Sequence, residues 1–355
     1  MNIAATIAAE LNVKESQVST ALQLLAEGNT VPFIARYRKE ATGGLDDSQL
    51  RTIEERANYL KELQERKETI LAAIEEQGKL GDALKEQILA CETKARLEDL
   101  YLPYKKRRKT KADIAREAGL EELTDKLIAD PNATPEELAQ AFITEGFEDT
   151  KKALDGARAI LVDRFALDAD LVGEVRERMF TEGSMGAHVV EGKEADGAKF
   201  KDYFDFNEPF HKLPSHRILA LLRGENEGVL QLQLDAGDDA DYEDVIASRF
   251  ELDRSSKWLA DAVHWGWRTK LYISSSLDVR MRLKEIAEEG ALKIFATNLR
   301  DVLLAAPAGQ RATIGLDPGY RNGVKCAVVD KTGKVLDTAI VYPHQPCLLY
   351  TSDAA

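Results

Sequence analysis

The run Lys105–Lys111 is the part of the chain whose residue types point most directly to a binding chemistry. Six of its seven residues are cationic, namely Lys105, Lys106, Arg107, Arg108, Lys109 and Lys111. Cations in a loop after a helix end can pair with phosphates from several directions, and the preceding Tyr101 and Tyr104 could stack on exposed bases or anchor the loop to the core. The alternative is a solvated charge run, or an intramolecular partner for acidic side chains.

The overall charge decides how far such contacts could extend. The formal net charge is −14, so the chain outside the six cations carries −20. An acidic surface repels phosphates, which argues against a protein that coats nucleic acid with its whole surface. We therefore predict a local nucleic-acid contact, made by Lys105, Lys106, Arg107, Arg108, Lys109 and Lys111.

A second candidate for chemistry is Asp317, in the stretch Ile314–Gly319. It lies at the end of a predicted strand, where a turn would expose its carboxylate. Two metal ions about 4 Å apart, as phosphodiester cleavage requires, need several carboxylates from different elements. A single Asp in a strand-turn is more often a turn former. Asp317 is thus only a remnant candidate for metal binding, and we predict no catalytic residues.

The other residue types capable of catalysis or metal binding show no productive spacing. Five histidines form no His-x-x-x-His pair, and neither Gly-x-Ser-x-Gly nor a phosphate-cradling Gly-x-x-x-x-Gly-Lys occurs. Cys91, Cys326 and Cys347 are far apart, which favours reduced thiols over disulfides or zinc. We expect no metal, no cofactor and no enzymatic activity.

The elements that must position these residues are mainly helical. We predict helices from Ile3 and through Val18, Leu22 and Leu25, then a new start at Val31 and Pro32. This helix, turn, helix order presents Arg36, Arg38 and Lys39 and could dock on DNA, although plain core packing is the favoured interpretation. A long helix capped by Asp46 or Asp47 carries one apolar stripe formed by Leu50, Ile53, Ala57, Leu60, Leu63, Ile70 and Ile74.

Several further helix boundaries follow from capping signals. We expect one helix from Asp82 to just before Pro103, and a start at Thr134 with a capping box closed by Glu137. Two more are expected near 150–166 and 169–182, and another between a Ser215 cap and a Gly224 stop. A last long helix carries Leu292, Phe295, Leu299, Val302 and Leu303 on one side.

Strands are predicted at only two places. Leu230, Leu232 and Leu234 alternate with polar residues, which indicates one strand among the helices. After residue 309 the pattern changes to short apolar runs at Thr313–Asp317, Val324–Asp330 and Val335–Tyr342, separated by turn residues. Three strands in a meander therefore announce a new domain.

Several motifs together resemble the Tex family of bacterial transcription accessory proteins. Motifs that agree with the family in order and spacing are Val31–Glu40 with Thr42–Asp46, Glu98–Lys105 with Ile114–Glu117, Pro214–Arg217, and Leu304–Gly309 leading into Leu316–Gly319. The resemblance spans about residues 1–346. It implies a helical N-terminal region, a YqgF domain with a ribonuclease H-like core, helix-hairpin-helix elements, and an S1 domain that is the main RNA or single-strand binder.

The resemblance and the residue patterns give one set of expectations. The fold class is mainly α, with a small β element, followed by the start of a truncated ribonuclease H-like (YqgF) α/β domain. The expected domains are an N-terminal helical domain at 1–195, a second mainly helical segment at 196–309 and the first YqgF strands at 312–346. Residues 347–355 do not resemble the family's continuation and are expected to be a non-native tail.

The expected function is that of an RNA-binding transcription accessory protein fragment, acting as a helical scaffold without catalysis. Its expected partners are RNA or single-stranded nucleic acid and the transcription or translation machinery. The alternatives are a fragment of a metal-dependent, resolvase-like nuclease built around Asp317, and a protein-protein interaction module, which the acidity favours. No stretch approaches the roughly 18 apolar residues of a membrane span, so we expect a cytoplasmic protein and no membrane partner.

Overall fold

The fold is described from a computed structural model that covers residues 2–105, 108–306, 309–319 and 323–342. The chain divides into two compact units, Met1–Ala287 and Glu288–Ala355, with the division inside one long helix. Most described residues are helical and the strands form two small sheets, which confirms the predicted mainly α class. The domain boundary expected after residue 195 stays a prediction.

Six helices build the N-terminal part of the first unit. They are α1 (Ile3–Leu11), α2 (Glu15–Ala26), α3 (Val31–Tyr37), α4 (Asp47–Glu76), α5 (Asp82–Ala90) and α6 (Lys94–Tyr101). The predicted cap of α4 is confirmed, because the Asp46 carboxylate accepts a hydrogen bond from the Gln49 backbone N–H at 2.8 Å. All seven residues of the predicted α4 stripe are buried in the core shared by these helices.

The predicted single helix from Asp82 to Pro103 is wrong, because α5 and α6 are separate. The backbone leaves the helical conformation at Cys91, and the buried Lys67 ammonium donates to the Leu89 carbonyl oxygen at 2.8 Å, which satisfies one acceptor at the end of α5. Thr93 then caps α6 by accepting from the Arg96 N–H at 3.3 Å. A buried lysine from α4 thus stabilises a break that the apolar spacing does not show.

The remainder of the first unit holds nine more α-helices among its described residues, the last of which continues into the second unit. These are α7 (Lys111–Glu117), α8 (Glu121–Ala129), α9 (Pro135–Gln140), α10 (Thr150–Leu167), α11 (Ala169–Glu182), α12 (Ser215–Asn226), α13 (Asp239–Arg249), α14 (Lys257–Gly266) and α15 (Tyr272–Leu303). The helices predicted near 150–166 and 169–182 are confirmed. Along α15, Val279, Leu283 and Ala287 are buried, whereas Leu292, Phe295, Leu299, Val302 and Leu303 are exposed.

Three predicted capping details are wrong. Thr134 precedes α9, but its side chain makes no capping hydrogen bond, so the expected box with Glu137 does not form. Ser215 is the first residue of α12 rather than its cap. Gly224 does not stop α12. It is buried within the helix, where a Cβ would lie 2.5 Å from Leu230 Cδ1, so glycine allows close packing there. The glycine with positive φ beyond the helix end is Gly228.

The first sheet is antiparallel, with the order β2-β1-β3. The predicted strand is confirmed as β3 (Leu230–Asp235), but sequence analysis missed β1 (Ser184–Val189) and β2 (Asp205–Pro209). Their segments contain few β-branched residues, so local propensity gives no signal. Pairing decides instead: Ala187 lies opposite Phe206 on one side and Leu232 on the other.

The second sheet belongs to the second unit and is an antiparallel meander with the order β4-β5-β6. It consists of β4 (Thr313–Gly319), β5 (Gly323–Val329) and β6 (Val335–Val341), which confirms the three predicted strands. Asp317 lies opposite Lys325 in the register of β4 and β5. The expected tail at 347–355 lies outside the described residues.

Candidate nucleic-acid interface

The predicted basic loop is tethered at both ends by local structure. Upstream, α6 ends at Tyr101 and a single 3₁₀ turn covers Leu102–Tyr104, with Pro103 in the turn. Downstream, the Thr110 side chain and the Asp113 carboxylate cap the start of α7 reciprocally. Lys105 follows the 3₁₀ turn, and Lys111, the last residue of the predicted loop, is the first residue of α7.

Lys105 is held against α6. Its ammonium lies 2.6 Å from a Glu98 carboxylate oxygen, and the other oxygen of the same carboxylate accepts from Arg66 Nε at 2.6 Å. Both cations also lie over the Tyr101 ring, at 5.6 Å for Arg66 and 5.7 Å for Lys105. Hydrogen bonding from Arg66, and then from Lys105, lowers the pKa of the Glu98 carboxyl. Tyr101 therefore anchors the loop to the helical body.

The other predicted cations fall into three groups. Lys109 pairs with Glu117 at 2.5 Å, on a surface where both side chains are exposed. Arg108 and Lys111 are exposed and make no ion pair with any residue in the described part of the chain. Lys106 and Arg107 lie outside the described residues. The assignment of these six residues to nucleic-acid binding stays a prediction.

A buried ion pair fixes the helix that leads into the loop. The guanidinium of Arg176, on α11, makes two hydrogen bonds to the Asp99 carboxylate of α6, at 2.6 and 3.1 Å. The two side chains are only 12% and 10% exposed. This carboxylate raises the pKa of Arg176 above its ordinary value. Sequence analysis missed the pair, because the two residues are 77 positions apart and each lies in an ordinary helical pattern.

A groove of about 980 Å³ adjoins the loop within the first unit. It is lined by equal numbers of cations and carboxylates, namely Arg96, Lys105, Arg176, Lys270 and Arg282 with Glu98, Asp99, Glu177, Asp278 and Glu285. Several of these are paired with one another, including Arg282 with Glu177 at 2.8 Å. A groove with equal numbers of cations and carboxylates gives phosphates no net attraction.

The candidate residue for metal chemistry, Asp317, is exposed on β4. Among the described residues there is no group of three or more His, Cys, Asp or Glu side chains placed to hold a metal ion. Cys91 is a buried free thiol and Cys326 a partly buried one, while Cys347 lies outside the described residues. Within the described ranges no helix combines the length and apolarity that crossing a membrane requires.

Comparison with known families accounts for most of the chain. Residues 1–75 match the Tex-like protein N-terminal domain, 130–295 the Tex central region-like family, and 311–354 the Tex protein YqgF-like domain. The chain belongs to the Tex family. This confirms the resemblance drawn from the motifs, and it places the second sheet of this Tex-family chain in a YqgF-like domain. The basic loop lies between the first two matched regions.

Sequence similarity to named relatives covers nearly all of this Tex-family chain. The transcriptional accessory protein Tex of Neisseria gonorrhoeae is 54% identical over 352 residues, which is 97% of this chain and 46% of the relative. Protein tex of Bordetella pertussis is 51% identical, with the same shares covered. The human S1 RNA-binding domain-containing protein 1 is 30% identical over 94% of this chain and 35% of its own length. The chain spans about half the length of its bacterial relatives.

Proposed function

We propose that this Tex-family chain binds single-stranded nucleic acid, RNA foremost, through the loop Lys105–Lys111, as a non-catalytic helical scaffold of a transcription accessory protein. The observation that carries the proposal is the exposure of Arg108 and Lys111, without an ion-pair partner among the described residues, in a chain of net charge −14. Their positive charge is available to a ligand, whereas most arginines of this chain are already paired.

The paired lysines of the loop add to this capacity. Exposed ion pairs such as Lys109–Glu117 contribute only about 0–1 kcal/mol, so a phosphate can replace the carboxylate at little cost. Release of counterions from the nucleic acid then favours binding at low salt. The names of the gonococcal and human relatives, which refer to transcription and to RNA binding, agree with this function.

The salt dependence of binding tests the loop. If four to six cations contact single-stranded phosphates, the logarithm of affinity should fall against the logarithm of salt with a slope of about −3 to −4. Filter binding with a single-stranded RNA should show a slope flatter by about 1.4 in the Arg108→Ala/Lys111→Ala variant, which removes two contacts. An unchanged slope rejects the loop as the interface.

A matched control is available in the same unit. Lys61 and Lys85 are exposed and form no ion pair with any residue that the structure describes. The Lys61→Ala/Lys85→Ala variant changes the net charge by the same amount, and its slope should equal that of the parent chain. An equal flattening in both double variants would show that overall charge, and not the loop, sets the affinity.

The proposed absence of catalysis has its own test. Magnesium-dependent cleavage of RNA or a branched DNA by this chain, lost in Asp317→Asn, would assign a nuclease function instead.

A third assay addresses partners in the transcription or translation machinery. Pull-down of RNA polymerase or ribosomes should depend on nucleic acid and disappear after nuclease treatment; capture that survives nuclease would favour a protein-interaction module.

A further inference from the structure

Helix α3 presents two aromatic rings to solvent. Val31 and Ile34 bury one side of this short helix in the N-terminal core. Phe33 and Tyr37, one turn apart on another side, are 39% and 64% exposed. Their ring centroids are 5.3 Å apart and their planes are tilted by 47°. The helix thus keeps a paired aromatic surface outside the core that its other residues build.

Three cations accompany the rings. Arg36, Arg38 and Lys39 are exposed, and none of them forms an ion pair with any residue of the described ranges. The arginines of the adjacent α4 behave differently, because Arg51 is paired with Asp47 and Arg56 with Glu10. No acidic residue occurs between Val31 and Lys39, and the first to follow is the exposed Glu40. Positive charge is therefore concentrated and unneutralised next to the rings.

The chemistry of this surface selects one class of ligand. We name the residues Phe33, Arg36, Tyr37, Arg38 and Lys39 the α3 patch. Exposed aromatic rings provide stacking faces for unpaired bases, and cations beside them bind the phosphates that link those bases. A duplex hides the faces of its bases, so it could use the cations but not the rings.

We propose that the α3 patch is a second binding site for single-stranded nucleic acid, with bases stacking on Phe33 and Tyr37 and phosphates paired with Arg36, Arg38 and Lys39. This inference rests on the proposed function of the chain, but it uses residues separate from the Lys105–Lys111 loop. The sequence analysis considered these three cations for docking on DNA by a helix, turn, helix pair. The α3 proposal assigns them to single-stranded nucleic acid instead.

Fluorescence anisotropy of the 355-residue chain with a labelled 12-nucleotide oligouridylate tests the stacking. Tyr37→Leu removes the ring but keeps an apolar residue that favours helix. This variant should bind oligouridylate about fivefold or more weakly than the parent chain. Tyr37→Phe retains the ring and should bind within about twofold of the parent chain. The salt slope should stay the same in both variants, since neither removes a cation.

A charge variant tests the phosphate contacts independently. Arg36→Ala/Arg38→Ala/Lys39→Ala should flatten the salt slope by about 2, at roughly 0.7 per lost contact. The control Lys61→Ala/Lys79→Ala/Lys85→Ala removes three exposed cations elsewhere in the same unit and should leave the slope unchanged. A labelled 12-base-pair duplex should lose little affinity in Tyr37→Leu, because its bases are not available for stacking.

The outcomes separate this inference from the proposed function. If the loop variant Arg108→Ala/Lys111→Ala weakens oligouridylate binding while Tyr37→Leu and the triple variant do not, the α3 proposal is wrong and the loop stands. If the parent chain binds no oligouridylate, both are wrong. Unchanged oligouridylate binding by the triple variant, together with lost binding of poly-glutamate, would assign the patch to an acidic protein partner and overturn the proposal.

Discussion

The buried pair of Arg176 and Asp99 allows the role of tertiary contacts in this chain to be tested quantitatively. Replacing Arg176 by Met keeps the length and packing of the side chain but leaves the Asp99 carboxylate, which is only 10% exposed, without its cationic partner. Removing one partner of a buried pair costs about 3–5 kcal/mol, because the remaining charge is desolvated and uncompensated. Asp278, the second partner, is 47% exposed and remains solvated.

The expected effect on thermal unfolding follows from that cost. For a unit of this size each kcal/mol lowers the unfolding temperature by about 2–4 °C, so Arg176→Met should lower it by about 6–20 °C. Circular dichroism at 222 nm measures the shift. The double variant Arg176→Met/Asp99→Leu, which removes both charges, should recover much of the loss, and Asp278→Ala should shift the transition by only a few degrees.

Two results would refute this reasoning. If Arg176→Met unfolds within about 3 °C of the parent chain, then Asp99 reaches solvent or another donor, and the pair does not fix α6. If the double variant is less stable than Arg176→Met, the cost comes from lost packing and not from an uncompensated charge, since the second substitution should otherwise relieve it.

Two further predictions concern backbone packing and pH. Gly183→Ala should destabilise the chain by about 1–3 kcal/mol in urea unfolding, because a Cβ would lie 2.5 Å from the Met179 carbonyl oxygen. The control Gly173→Ala, with open space around the added Cβ, should be neutral or stabilising by up to about 1 kcal/mol. Equal effects of the two substitutions would contradict the contact argument. Since the pKa of Glu98 is lowered from 4.5 in the folded state, its contribution is fully present above pH 4.5 and lost as the pH falls through the folded value. The difference in unfolding temperature between the parent chain and Glu98→Gln should therefore be constant from pH 7 to 5 and narrow below about pH 4.5, and a difference that persists at lower pH would show that the carboxylate is not the cause.

Much of the helical architecture could be predicted because its signals are local. The α4 stripe recurs at helical spacing over 30 residues, and Asp46 with Gln49 forms the capping box that starts it. The meander β4-β5-β6 was also predicted, since its apolar runs are separated by turn residues. In each case neighbours along the chain determine the outcome.

The predictions that were wrong concern features that depend on residues distant in the sequence. The break between α5 and α6 depends on Lys67, which comes from α4, and the strands β1 and β2 form because β3 pairs with β1 from a distant part of the chain. Gly224 has the residue type typical of a helix stop, yet it lies within α12, where the absence of a Cβ allows Leu230 to pack closely. Local patterns cannot distinguish these possibilities, because the deciding partner lies elsewhere in the sequence.

The same division applies to the candidate sites. The order of residue types already shows where positive charge is concentrated, at Lys105–Lys111 and at residues 36–39, because charge is a property of residue type. Which of those charges are available follows from the fold, because Lys105 pairs with Glu98 and Lys109 with Glu117, whereas Arg108, Lys111 and the α3 cations are exposed. Neutralisation requires an acidic side chain within a few ångströms, and spacing along the chain does not show whether a carboxylate lies that close.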